Sequence, residues 1–235
     1  MISRNPVSKF IFLVLFSFAA NAETIPIDSI TIIGEIHRHP ESINLFQSLI
    51  HDYLKSNQCL TVALEINSNQ QSVIDSGKVL DIEILWTIDH PTYRKMIGDL
   101  IAQKNNGACL KLLAIDGAGD DIDMRRDAWM AINLAKADKP ILALLGNMHT
   151  LKKVVWSNTT GLPFVAGILN KQVNSYPQLG LSTECNKPLL WRLVPADTPE
   201  ALELLNKHTF SLLNTDEPDS AVSVVDGIIL WECSV

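Results

Sequence analysis

The chain has no Cys-x-x-Cys pair, no Cys-x-x-Cys-His, and few basic residues, and each absence removes a class of function. Without Cys-x-x-Cys there is neither a redox motif of the thioredoxin type nor a zinc knuckle, and without the terminal histidine there is no covalent haem attachment motif. Only 19 Lys and Arg stand against 26 Asp and Glu, so phosphate backbones, which demand a basic surface, are poor partners and nucleic acid is not expected. The stretch Gly117-Ala118-Gly119-Asp120-Asp121 lacks the lysine and the glycine spacing of a phosphate cradle. No internal repeat, linker or low-complexity segment divides the chain, and one domain over residues 23–235 is the expectation.

Long apolar runs are scarce too. The block Phe10 to Ala20 follows Arg4 and Lys9 and ends in Ala20-Asn21-Ala22, the pattern of a secretory signal over residues 1–22. It is short for a bilayer span, and no cysteine near the cleavage point could carry a lipid. An exported protein, periplasmic or secreted, is expected, without a stable membrane anchor once the signal is removed. Removal takes Arg4 and Lys9 and no acid, leaving 17 basic residues against 26 acidic ones, a net charge of −9. In an exported chain four cysteines suggest two disulfides. Cys59 and Cys109 each precede a predicted strand and can be bridged if those strands are parallel neighbours; Cys185 and Cys233 then remain for each other, with buried free thiols as the alternative.

What is present is a series of apolar strands that end in chemistry. Ile30 to Ile33 is β-branched and stops at Gly34-Glu35-Ile36-His37-Arg38-His39-Pro40. Side chains two apart in an extended chain point the same way, which places Glu35 and His37 together, and a residue before proline is held extended, so His39 is expected to continue the row. Pro40 opens a helix to Ser56 with Ile43, Phe46, Leu49, Ile50 and Leu54 at helical spacing. Leu60 to Glu65 is a second strand ending in an acid, Cys109 to Asp116 a third, and Pro140 to Leu145 a fourth, followed by Gly146-Asn147-Met148-His149. Between them the spacing predicts helices within 72–107, including 79–88 and Tyr93 to Lys104, and a helix capped by Asp120 or Asp121 that runs to Ala137 and carries Arg126 in its first turns. The last third reads as short strands at Phe164 to Leu169, Gln172 to Tyr176, Leu189 to Val194 and Val224 to Trp231, with a helix from Pro199 to His208. Alternating strands and helices imply an α/β fold with a largely parallel, mixed central sheet flanked by helices, and in such sheets ligands sit at the carboxyl ends of the strands.

Gly34-Glu35-Ile36-His37, Ala63-Leu64-Glu65, Arg126-Asp127 with Met130-Ala131, and Gly146-Asn147-Met148-His149, with Val225-Asp226-Gly227-Ile228 as a terminal strand, together resemble the superfamily of erythromycin esterases, ChaN-like haem-binding proteins and TIKI/TraB proteins. The motifs keep their order over most of the chain beyond residue 22. The resemblance implies a polar pocket at the carboxyl edge of the sheet. It also implies three possible activities: esterases that use glutamate and histidine without metal, metal-dependent peptidases with paired G-x-x-H motifs, and haem-uptake proteins. The chain lacks the lipidation cysteine of the lipoprotein members. It has one residue rather than two between Glu35 and His37 where the esterases have two, so it is most similar to ChaN-like members with two G-x-x-H motifs.

Two imidazoles and a carboxylate suit zinc, manganese or iron, so His37 and His149, with Glu35 or else Glu65 as the carboxylate, are the expected ligands of a divalent metal that would activate water. Without metal, His37 or His149 becomes the general base and a glutamate holds its tautomer. Either way Glu35, His37, Glu65 and His149 are the expected catalytic set, and Arg126, Asp116 and His39 the expected substrate-binding residues, for a small-molecule or peptide substrate with an ester or amide bond. The alternatives are a haem- or metal-binding protein of iron uptake, in which Tyr53 or Tyr176 could hold haem, and a binding or immunity-like module that kept the fold without the chemistry. His51, His90 and His208 lack a comparable setting and are read as hydrogen-bonded structural histidines.

Overall fold

The computed structural model describes residues 25–117, 125–157, 161–181, 185, 187–213 and 215–234. The expected signal segment and the Asp120 and Asp121 cap lie outside the described residues.

The chain runs β1 (Ile30–Glu35), α1 (Pro40–Leu54), β2 (Leu60–Asn67), α2 (Gln71–Asp75), α3 (Pro91–Asn105), β3 (Leu110–Asp116), α4 (Arg126–Lys136) and β4 (Ile141–Gly146). It continues through β5 (Val155–Trp156), α5 (Val165–Leu169), β6 (Val173–Tyr176), β7 (Gln178–Leu179), β8 (Leu189–Pro195), α6 (Pro199–His208), β9 (Thr215–Asp216) and β10 (Gly227–Cys233). The central sheet has the order β3-β2-β4-β1-β6 and every pair in it is parallel. Parallel strands covered on both faces carry near-continuous apolar runs, which is why β1 and β4 are buried along their whole length.

Alternation along the strands sorts their side chains into two layers. Ile33, Val62, Leu64, Leu142 and Leu144 pack with Phe46 and Ile50 of α1 and Tyr93, Met96 and Leu100 of α3. Ile30, Ile32, Ala63, Ile141 and Ala143 pack on the other face with Met130 and Leu134 of α4 and Val165 and Leu169 of α5. Carried to the strand ends, the same alternation gives Glu35 the face of Ile33 and Glu65 the face of Ala63. The two acids therefore leave the sheet on opposite sides, Glu35 toward α3 and Glu65 toward α4.

β7, β10 and β8 form a second sheet, with β7 parallel and β8 antiparallel to β10. Only Pro177 separates β6 from β7, and backbone bonds from Asp226 N to Ser175 O and from Ile229 N to Pro177 O carry the pairing across it. The last third thus adds a small mixed sheet, with β8 antiparallel to β10, beside the β6 edge of the central sheet. Cys59 and Cys109 are joined at the starts of neighbouring β2 and β3, where Leu60 stands beside Leu110, and Cys185 is joined to Cys233 at the end of β10. Disulfides of this kind form and persist in oxidising compartments. Among the described residues no helix is long and apolar enough to cross a membrane.

Three expectations are corrected. Phe164 to Leu169, read as a strand, is the helix α5; a short apolar run has no periodicity to separate the two forms, and here packing on α4 and a bond from Val165 N to the Asp127 carboxylate decide for the helix. Residues 79–88 hold a single 3-10 turn, Val79–Asp81, rather than a helix. The Arg94 guanidinium donates to the carbonyls of Val79 and Ile82, satisfying groups that a helix would have paired internally. Finally, α4 begins only at Arg126, with Arg125 in an extended conformation before it.

Candidate active site

Every expected site acid reaches the carboxyl edge of the sheet because it ends a strand or opens the next segment. Glu65 and Asp116 close or nearly close β2 and β3, and both are buried. Arg126, in the first turn of α4, spans them: its Nε and Nη2 donate to the two Asp116 oxygens at 2.8 and 2.7 Å, and Nη2 also donates to Glu65 Oε1. The Gly117 N–H adds a bond to Asp116 at 2.8 Å and the Gly146 N–H one to Glu65 Oε2 at 2.7 Å. Asp116 is therefore engaged with Arg126 rather than open to a substrate. Among the described residues, Nη1 of Arg126 has no hydrogen-bond partner, on a side chain 38% exposed.

His149 follows β4 in a short 3-10 turn, Asn147–Thr150. Its Nδ1 lies 2.8 Å from Asp127 Oδ1, and its Nε2 3.7 Å from Glu65 Oε1. Burial works against its charge, but the Asp127 and Glu65 carboxylates outweigh burial and bring its pKa up to about 9. Burial likewise pushes Glu65 up, yet His149, Arg126 and the Gly146 N–H together hold it down at about 2. At neutral pH this half of the site is a compensated network of carboxylates around two fixed cations.

Glu35 stands in contrast. Its side chain is 1% exposed, and neither oxygen has a hydrogen-bond partner among the described residues. Three groups surround it: His37 Nδ1 at 3.7 Å, His90 Nε2 at 4.0 Å, and the buried Tyr93 phenol, coupled to it electrostatically. His37, with its side chain 40% exposed, is the accessible member, and the adjacent Glu35 carboxyl raises its pKa above the usual 6.5. Two glycines make the arrangement possible. A Cβ on Gly146 would sit 3.1 Å from His37 Cε1 and 3.6 Å from Glu65 Oε2, so the His37 ring can lie across the end of β4 only over a residue without a side chain. A Cβ on Gly34 would collide with Asn147 Oδ1, which accepts from Gln178 N at 2.9 Å and ties the β1 and β4 ends to β7.

Glu35, His37, Glu65, Arg126, Asp116 and His149 thus share one edge. His39 does not join them. The chain turns at Arg38, whose φ of +67° breaks the extended row, and among the described residues no hydrogen bond or ion pair ties the His39 ring to the others. Three residues of the site had no site role in the sequence reading, which has Asp127 only within a motif and His90 as a structural histidine. Asp127 orients His149, and His90 and Tyr93 back Glu35 from the start of α3. One sequence signal does exist for His90: it precedes Pro91 at a helix start as His39 precedes Pro40.

Among the described residues no group of three or more His, Cys, Asp or Glu side chains is arranged to hold a metal ion. The donor set explains why Glu35, His37 and His149 do not fit one. Glu35 leaves the sheet on the face opposite Glu65, whose side His149 Nε2 approaches at 3.7 Å, and the Arg126 guanidinium already occupies the Glu65 side. Tyr176 is 5% exposed, and burial with the nearby Asp226 and Asp28 pushes its phenol up to about 12; Tyr53, near the end of α1, packs against the core.

No family model and no curated protein matches the chain. Three solved structures share its fold over almost its whole length. ChaN of Campylobacter jejuni, solved with cofacially bound haem, aligns with a TM-score of 0.51 at 12% identity, covering 88% of both chains. A mutant of the erythromycin esterase EreC in its open conformation gives 0.52 at 12%, covering 86% of this chain and 90% of that one. A protein from Bacillus cereus gives 0.56 at 11%, covering 87% and 88%. The fold is therefore one that an esterase and a haem-binding protein have in common, and identities this low establish the fold alone.

Proposed function

We propose that this chain is an exported hydrolase of ester or amide bonds that works through a histidine base and needs no metal. The observation that carries the reading is His37, an accessible imidazole backed by the buried, unpartnered carboxyl of Glu35 and set beside two fixed cations. His149 is the poorer base, because Asp127 holds its Nδ1 and it carries a proton up to about pH 9.

In this reading His37 Nδ1–H faces Glu35 and Nε2 takes the proton of a water as its oxygen attacks the substrate carbonyl. The carbonyl π pair moves onto oxygen. Arg126 Nη1, which has no hydrogen-bond partner among the described residues, and the His149 Nε2–H meet the charge that develops there. His37 then returns its proton to the leaving alcohol or amine as the carbon–heteroatom bond breaks. Glu65, Asp116 and Asp127 aim these cations and touch no substrate. Export is supported by the two disulfides and by the signal-like segment.

The test is hydrolysis of a panel of aryl and alkyl esters and amides by the purified chain from residue 23. kcat/KM should follow a bell in pH, rising as His37 loses its proton above 6.5 and falling near 9 as His149 loses its own. Absence of turnover on the whole panel, or equal turnover by His37→Ala, defeats the reading.

One observation favours a second reading, haem binding. The same exposed His37 could ligate iron, and Leu85 and Trp86, 38% and 76% exposed on the segment that leads to His90, offer apolar surface to a porphyrin. A haem titration whose Soret band shifts in the wild type and not in His37→Ala would support it.

A further inference from the structure

Three buried polar groups without a hydrogen-bond partner among the described residues gather around Glu35 behind His37. They are both oxygens of Glu35, Nε2 of His90 and the phenol oxygen of Tyr93. Burying one such atom without a hydrogen bond costs stability, and three such neighbouring groups mark a place built for something that bonds to all of them. His90 and Tyr93 come from one turn of backbone, His90 as the residue before α3 and Tyr93 inside it, with ring centroids 6.1 Å apart. His90 Nε2 stands 4.0 Å from Glu35 Oε1, too far for a direct bond and suited to a bridge by one small molecule.

The chemistry of the three groups selects that molecule. Burial keeps the Tyr93 phenol protonated, so it can donate to a partner. Burial also lowers the pKa of His90 against the pull of Glu35, leaving a neutral ring that offers a single N–H. Glu35 supplies acceptors. A species that accepts two bonds and donates to a carboxyl is water, whose buried examples make two to four bonds to otherwise unsatisfied groups.

We propose that Glu35, His90 and Tyr93 enclose one bound water, and that His90 is the positioning residue that holds Glu35 against His37 through it. The proposal rests on the Glu35–His37 reading of the site and adds to it a third histidine that does not touch substrate. Without the water bridge the Glu35 carboxyl is free to turn away, and the His37 ring loses the partner that selects its tautomer.

A crystal structure of the mature chain at a resolution that shows ordered water tests the first half directly. Density within hydrogen-bond reach of Glu35, His90 Nε2 and Tyr93 Oη is expected; direct contacts among the three groups, or density with the coordination of a cation, overturn it. For the second half, His90→Phe should lower kcat about tenfold or more, as loss of an outer-shell partner does, with KM unchanged. His90→Gln, which keeps a side-chain N–H, should recover most of that loss, and Tyr93→Phe tests the other donor. Equal damage from His90→Phe and His90→Gln, or a change confined to KM, overturns the positioning role. A wild type that turns over no substrate defeats the hydrolase reading instead, and the density still decides the water.

Discussion

Two glutamates end strands at the same edge of this sheet and meet opposite fates. Glu65 is wrapped by Arg126, the Gly146 N–H and His149. Glu35 is as deeply buried and has no hydrogen-bond partner among the described residues. A buried carboxyl costs stability unless it is paired, so Glu65 reads as part of the framework and Glu35 as a group kept for chemistry. Both halves meet at His37, whose ring crosses Gly146 between them.

The largest effect that separates the halves is on rate. His37→Ala should cut kcat/KM by about 10²–10⁴-fold, the usual contribution of a general base, with little change in thermal midpoint because the side chain is 40% exposed. The reverse pattern is expected at Arg126. Arg126→Ala leaves Asp116 and Glu65 buried without their cation and should destabilise toward the lower end of ~3–5 kcal/mol, since the guanidinium is 38% exposed and partly screened. Urea unfolding measures this, and a loss under 1 kcal/mol would mean the network is not the framework described.

Titration of the paired half comes next. The pKa of His149 is raised, so its stabilisation is complete below about 6.5 and is lost as pH rises through about 9. That of Glu65 is depressed, so its contribution is complete above 4.5 and is lost as pH falls toward 2. The shared interaction is on the order of a few kcal/mol, and unfolding midpoints from pH 6 to 10 should decline in the wild type and stay flatter in Asp127→Asn. The smallest effect is the most discriminating: Glu35→Leu should lower kcat/KM by no more than His37→Ala does, yet raise stability by about 0.5–2 kcal/mol, the trade expected when a functional carboxyl is buried without a direct hydrogen bond from the described residues. A destabilised Glu35→Leu would mean that the contacts of Glu35 with its neighbours outweigh the cost of burying its carboxyl.

The strands were legible because each is a β-branched or leucine-rich run, and the helices Pro40–Leu54 and Pro199–His208 because proline marks their first turn. Phe164 to Leu169 was misread because five or six apolar residues fit either form, and the choice rested on α4, far away in sequence. Glu35, His37, Glu65 and His149 stood out as polar residues at the ends of apolar runs. His90 did not, since it sits between an irregular segment and a helix and only the packing of α3 on the sheet carries it to Glu35. For the expected metal ligands the same limit holds: spacing put Glu35 and His149 at one edge but says nothing of which face of the sheet each leaves, and among the described residues no group of three such side chains is arranged to hold an ion.

By itself, then, the sequence determined an α/β order of elements and a row of acids and imidazoles at strand ends, because these follow from local periodicity and residue type. Only the tertiary structure decided which carboxyl is paired and which is bare. That outcome depends on strand order, on the parity of each side chain against the sheet, and on two helices whose first turns reach the edge from opposite faces, Arg126 to Glu65 and His90 toward Glu35.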